Sequence, residues 1–365
     1  MSPRILAEYR VVETQAHRLV MKICVIYLLS FNEPCRPSGQ ERYPFLRYAA
    51  EYWHRHVPDF EELDPSDTRL ILKLFDSRPS TSSTAFNSIP PNLSSMSNAP
   101  TENEVRGNDS FNLWLTLNNP DTRWKPQDGL PTPLYCASFM GLVTITERIL
   151  SNGANTNVTS GYSGRFGTEL AAASYRGHES VVRLLLDKGA DIDGSQTDYL
   201  EFPLRIASFH GHLSIVQLLL DRGANVNRIA RGLWTAATAL QAAVSQGHLS
   251  VVQLLLSYRA EVDLASPSRS TALEMATARG FEEIVEILLN NGADIEKQGY
   301  FGNALQTACY WRHEQLVQLL LEKGANVNAK AGDRGTAKQC ALSNNDKGIF
   351  MLLDKHVSAA RDGGT

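Results

Sequence analysis

Residues 168–193 read TELAAASYRGHESVVRLLLDKGADID. Thr168 opens a short segment in which Leu170 and Ala173 fall at helical spacing. Gly177-His178 then marks a turn, where glycine permits a positive φ. A second segment carries Val182 and Leu185-Leu186 as its apolar stripe and stops at Gly189-Ala190. The reading is helix, turn, helix, turn. A unit this small cannot cover its own apolar face, so it must stack against copies of itself.

Those copies are present. TPLYCASFMGLVTITERILSNGANTN begins at Thr132, FPLRIASFHGHLSIVQLLLDRGANVN at Phe202 and TALQAAVSQGHLSVVQLLLSYRAEVD at Thr238. TALEMATARGFEEIVEILLNNGADIE begins at Thr271 and NALQTACYWRHEQLVQLLLEKGANVN at Asn303. A degraded seventh copy starts at Thr336. Successive starts lie 36, 34, 36, 33, 32 and 33 residues apart, and fixed periods of this size mean a repeat array. Two copies lack a landmark glycine, with Arg259 after the fourth second helix and Arg312 at the sixth turn.

The pattern resembles the ankyrin repeat. Thr132-Pro133-Leu134 with Ala137 preserves its T-P-L-x-x-A opening, and the Gly-His turn stands at Gly177-His178, Gly211-His212 and Gly247-His248. The resemblance implies an all-α ankyrin-repeat solenoid of helix-turn-helix repeats with short β-turn fingers. It covers residues 132–357 as six repeats plus a degenerate cap, with 358–365 left as a flexible tail.

Upstream, residues 1–76 read as a small helical segment, with candidate helices at 16–31, 43–56 and 67–75 and Ser66 as an N-cap. Ser, Thr, Asn and Pro fill 20 of the 32 positions of 77–108, a composition expected of a disordered linker. Residues 109–131, containing FNLWLTL, are expected to cap the first repeat. The stretches AHRLVMKICVIYLLSF, YPFLRYAAEYWHRHV and FNLWLTLNNPDTRW resemble the region before the array in fungal NACHT–ankyrin (NLR-like) proteins. That resemblance implies the C-terminal part of such an intracellular sensor or adaptor.

Composition narrows the chemistry. The 365 residues carry 35 basic and 39 acidic side chains, and each side of Thr132 nets −2, which argues against a nucleic-acid binder. The apolar run Leu19 to Phe31 contains Lys22 and is too short for a bilayer span, so no membrane partner is expected. Five cysteines without a C-x-x-C pair suggest reduced thiols, in the cytoplasm or alternatively the nucleus. No G-x-x-x-x-G-K-S/T loop occurs. His178, His212 and His248 belong to separate turns, and Cys136 and Cys309 sit in apolar helices where a thiol is inert. No enzyme activity, cofactor, metal or small-molecule substrate is expected.

Recognition of a protein partner is the remaining reading. In the resembled family the two residues before the turn glycine face the concave groove. Here those pairs include Phe139-Met140, Tyr175-Arg176, Phe209-His210, Ala278-Arg279 and Tyr310-Trp311. Phe139, Tyr175 and Phe209 would align as an aromatic stripe, and aromatics and arginine make strong interface anchors. Alternatively, these rings pack between neighbouring helices. Finger residues Tyr162, Arg165, Tyr199, Arg231, Trp234, Arg269, Tyr300 and Arg334 form a second candidate surface. The expected function is a protein–protein interaction scaffold; the alternative is the substrate-adaptor or regulatory subunit of an enzyme assembly.

Overall fold

The computed structural model describes residues 21, 22, 24, 25, 65–75, 131–157, 166–194, 202–230, 237–265, 270–330 and 335–362. The expected helix at 43–56, the linker 77–108, nearly all of the cap 109–131 and the last three residues lie outside them. So do the finger residues Tyr162, Arg165, Tyr199, Arg231, Trp234, Arg269 and Arg334.

The described elements are helices joined by turns, divided between two compact units at Ala190. The first unit holds α1 (Pro65–Phe75), α2 (Pro133–Met140), α3 (Val143–Ser151), α4 (Glu169–Arg176) and α5 (Glu179–Asp187). The second holds α6 (Pro203–His210), α7 (Leu213–Asp221), α8 (Ala239–Gln246), α9 (Leu249–Ser257) and α10 (Ala272–Arg279). It continues with α11 (Glu282–Asn290), α12 (Ala304–Trp311), α13 (Glu314–Glu322), α14 (Ala337–Ser343) and α15 (Lys347–Asp362). Within each unit first helices pack on first helices and second helices on second helices, the arrangement of an ankyrin-repeat solenoid.

Three local devices define each repeat. The opening Thr or Asn is an N-cap: Thr132, Thr168, Thr238, Thr271, Asn303 and Thr336 each accept the amide three residues on. Phe202 holds that place in the third repeat and makes no side-chain cap. The turn residue is left-handed, with φ from 72° to 79° at Gly141, Gly177, Gly211, Gly247 and Gly280. Arg312 takes the same conformation at φ 62°, and Arg259 at φ 63° ends α9. The repeat framework therefore imposes a left-handed residue even where the sequence supplies a costly one.

The third device links neighbours. His178 Nε2–H donates to the carbonyl of Phe139 (3.2 Å), and His248 and His313 do the same to Phe209 (3.1 Å) and Ala278 (3.3 Å). Each ring lies directly over the preceding turn glycine. A Cβ on Gly141 would meet His178 at 2.6 Å, and one on Gly211 would meet His248 at 2.7 Å. Phe281 covers Gly247 in the same way. At the last joint Arg312 replaces the glycine and Asp346 the ring, and the two form an ion pair at 2.9 Å.

A second ladder runs along the ends of the second helices. Asp193, Asn227, Asp263 and Glu296 accept the backbone amides of Asn225, Glu261, Asp294 and Asn326, at 3.1, 2.8, 3.0 and 2.6 Å. The polar side chains that close these four repeats are thus tied to the next repeat.

Two expected boundaries shift. Helix α1 starts at Pro65, which suits the first helical position, so Ser66 lies inside the helix rather than capping it. Asp67 of α1 is buried and paired with Lys22 at 2.7 Å, and α1 packs on α3. At the other end α15 continues past Val357 to Asp362, through most of the expected tail, because no glycine or proline interrupts it before Gly363.

Candidate partner-binding surface

The first helices α2, α4, α6, α8, α10 and α12 are largely buried. Among them full exposure is confined to the last residue before the turn, and in unit two this leaves His210, Gln246, Arg279 and Trp311 open to solvent. They occupy the same position on α6, α8, α10 and α12, and each of these helices packs on the next. The row contains no acidic side chain. Phe209 and Tyr310, one residue earlier, are half-buried behind it.

In unit one the geometry differs from expectation. Phe139 is only 6% exposed and Met140 is likewise buried. Phe139 lies stacked between Tyr135 and Tyr175, with ring centroids 6.3 and 6.1 Å away, and the Arg176 guanidinium sits 5.1 Å above it. In this chain Phe139 and Met140 are packing residues, and Phe166 from the finger that follows the first repeat stacks on the Phe139 ring at 6.3 Å. Tyr175 is half-buried and Arg176 exposed, so these two remain available.

Phe166 was not singled out by sequence reasoning, and its counterpart Phe301 was missed with it. Both precede a glycine and an N-cap, in Phe166-Gly167-Thr168 and Phe301-Gly302-Asn303. Each stacks on the pre-turn tyrosine of its own repeat: Phe166 on Tyr175 at 4.3 Å and Phe301 on Tyr310 at 5.7 Å. The recurrence of Phe-Gly with a later tyrosine is the signal that could have revealed them. Finger residues carry no helical period, so periodicity alone passes over them.

The second cluster is the more open one. Phe301 also meets Trp311 edge-on at 5.8 Å, Tyr310 meets Trp311 at 5.3 Å, and Tyr300 meets Phe301 at 5.0 Å. Trp311 is 46% and Tyr300 68% exposed. Four rings thus gather at one finger, with two of them facing solvent. Trp234, the remaining candidate, lies outside the described residues.

Two buried carboxyls stand out. Glu169, 3% exposed at the start of α4, has its carboxyl pushed up to about 7 by burial; its own backbone amide and the Thr132 hydroxyl, 3.3 Å away, offset only part of this. Glu274 in α10 is also raised by burial, while the amides of Phe301, Tyr300 and Thr271 and the Ser270 hydroxyl pull it back. Burial drives the Cys309 thiol far above its ordinary value, leaving it a small core residue. Among the described residues no cluster of His, Cys, Asp or Glu could hold a metal ion, and no helix is long and apolar enough to cross a membrane.

Comparison with known proteins fits this geometry. A family model described as "Ankyrin repeats (3 copies)" matches residues 134–230 and 204–299, and one described as "Ankyrin repeats (many copies)" matches 305–353. The chain is 30% identical over 196 residues to azaphilone pigments biosynthesis cluster protein L of Monascus ruber. That alignment covers 48% of the chain and 35% of the relative, so the chain spans about a third of its length. Among solved structures, the human ASB11 ankyrin repeat domain superposes with a TM-score of 0.51 at 23% identity. The match covers 61% of this chain and 97% of that domain.

Proposed function

Because this chain belongs to the ankyrin-repeat family, we propose that it is a non-catalytic scaffold that binds a protein partner through the pre-turn row and the aromatic finger. The observation that carries the reading is the exposure of His210, Gln246, Arg279 and Trp311 on helices that are otherwise buried. Exposed aromatics and arginine at one register, on a rigid packed framework, supply anchors whose ordering cost is already met by folding. In unit one, Tyr175 and Arg176 hold the same register and form a candidate patch of their own. The partner is a protein segment rather than a nucleic acid or small molecule. The resemblance of the N-terminal stretches to NACHT–ankyrin proteins supports an intracellular sensor or adaptor, cytoplasmic or nuclear.

The test uses the immobilised full chain and an extract of the organism that encodes it. Trp311→Ala and Arg279→Glu are expected to reduce a specifically retained protein at least tenfold, with helical content unchanged by circular dichroism. Retention unaffected by both substitutions rules out this surface.

A second reading is favoured by the name of the Monascus relative, which places that protein in a pigment biosynthesis cluster. Under it, the chain is the substrate-adaptor or regulatory subunit of an enzyme assembly. Identification of the retained protein as a biosynthetic enzyme would select it.

A further inference from the structure

In the fourth and sixth repeats the third residue of the first helix stitches one finger to the next. Gln241 in α8 accepts the amides of Ala237 and Thr238 through Oε1, at 2.9 and 3.3 Å. Through Nε2 it donates to the carbonyls of Leu264 and Ser270, at 2.7 and 3.0 Å, the two flanks of the next finger. Gln306 in α12 repeats the scheme, donating to Ala329 and Gly335 at 3.0 and 2.6 Å. A carboxamide can do this because it both donates and accepts.

Between these two stands Glu274, which when ionised has no proton to give. The finger it faces is built the other way round. Glu274 Oε1 accepts the amide of Phe301, and the Tyr300 amide and the Ser270 hydroxyl also bond to the buried carboxylate. The Gly302 carbonyl, counterpart of Ser270 and Gly335, is taken up inside the finger by the Gly299 amide at 2.8 Å. The finger spans 297–302, one residue shorter than 264–270 and 329–335. Its backbone presses so closely on the carboxylate that a Cβ on Gly299 would lie 1.9 Å from Oε2. This inverted finger fixes Phe301 against Tyr310 and Trp311 and leaves Tyr300 exposed.

We propose that Glu274 is a positioning residue of the binding surface: by accepting the Phe301 amide it selects the finger conformation that presents Tyr300 beside Trp311, and so sets which protein segment this part of the array accepts. The assignment of partner selection rests on the function proposed above, whereas the assignment of finger shape stands by itself.

The experiment is Glu274→Gln in the full chain, followed by hydrogen–deuterium exchange across 297–302. The glutamine supplies a donor for the Lys297 and Gly302 carbonyls, as its neighbours do, and competes with the Gly299 bond. Exchange at Gly299 and Phe301 is expected to quicken about tenfold, the loss of one good hydrogen bond. The urea midpoint is expected to hold or rise, because a buried carboxylate has been neutralised; a merely structural role would lower it. Gly299→Ala supplies a second perturbation, since its φ is not left-handed and the three atoms nearest the new methyl all belong to Glu274. It should loosen the same segment, and should not do so in a Glu274→Ala background. Exchange within twofold of wild type in both Glu274→Gln and Gly299→Ala overturns the finger assignment. If the finger loosens but the protein retained by the full chain is held as before, while Trp311→Ala releases it, partner selection by Glu274 is refuted. If Trp311→Ala also releases nothing, the binding surface itself is misassigned, and the finger assignment is judged by exchange alone.

Discussion

Replacing Glu169 with glutamine should remove a contribution that destabilises this protein as pH rises. Every other repeat places proline or alanine where Glu169 stands: Pro133, Pro203, Ala239, Ala272, Ala304 and Ala337. The side chain is almost fully buried, and the neutral Thr132 hydroxyl donates to it. In the unfolded chain the carboxyl gives up its proton near its ordinary 4.5, whereas the folded chain holds the proton until about 7. A raised carboxyl penalises folding as pH climbs through that window, and the full penalty applies above it. At about 1.4 kcal/mol per pH unit the window corresponds to about 3 kcal/mol. Glutamine buries an extra donor, which costs about 1 kcal/mol. Glu169→Gln is therefore expected to be about 2 kcal/mol more stable than wild type at pH 8 and about 1 kcal/mol less stable at pH 4. Urea unfolding followed by circular dichroism at several pH values between 4 and 8.5 measures this. Other titrating groups cancel in the difference between the two proteins. A difference that stays constant within about 0.5 kcal/mol, the scale of an ordinary surface effect, would refute the burial argument.

Three further outcomes follow from the joints. Gly211→Ala should cost about 2–3 kcal/mol, of which about 1 is the left-handed φ and the rest the collision with His248; in a His248→Ala background only the first part should remain, as a double-mutant cycle in urea will show. Arg259→Gly should stabilise by about 1 kcal/mol, since the arginine is exposed at φ 63°; a lower thermal midpoint would count against it. Asp346→Ala should cost about 1–2 kcal/mol, since Asp346 pairs with Arg312 and accepts the Ile349 amide at 3.2 Å. The Arg312 guanidinium holds the Asp346 carboxyl below its ordinary 3.8, so this contribution is present above that value and fades as pH falls beneath it, which acid titration of both proteins will reveal.

The repeats were legible because their signals are local and redundant. Thr at the cap, glycine at the turn and leucines at helical spacing each report a single backbone requirement, and all recur in register. Arg259 and Arg312 were visible as departures, but their left-handed conformation was not, since it is the neighbouring repeats that enforce it. The candidate surface was legible only in part. The pre-turn position could be located from the repeat register, yet exposure there depends on the finger packed beside it. Phe166 buries Phe139, and the Phe301 finger leaves Trp311 open. Glu274 reads in the sequence as one more polar residue of a helix; only its neighbours' hydrogen bonds show that it inverts a finger.

Arg312 and Asp346 carry a consequence for how such a gene can change length. Arrays of this kind gain and lose modules by duplication, which succeeds when any module can follow any other. Most joints here allow that, since a ring laid over a glycine suits any pair bearing both residues. The sixth module carries at its turn an arginine that a histidine ring would strike and that a carboxylate suits. A copied internal module inserted after it would face the wrong neighbour. The charged pair therefore marks where the array stops growing and confines changes in repeat number to the modules upstream.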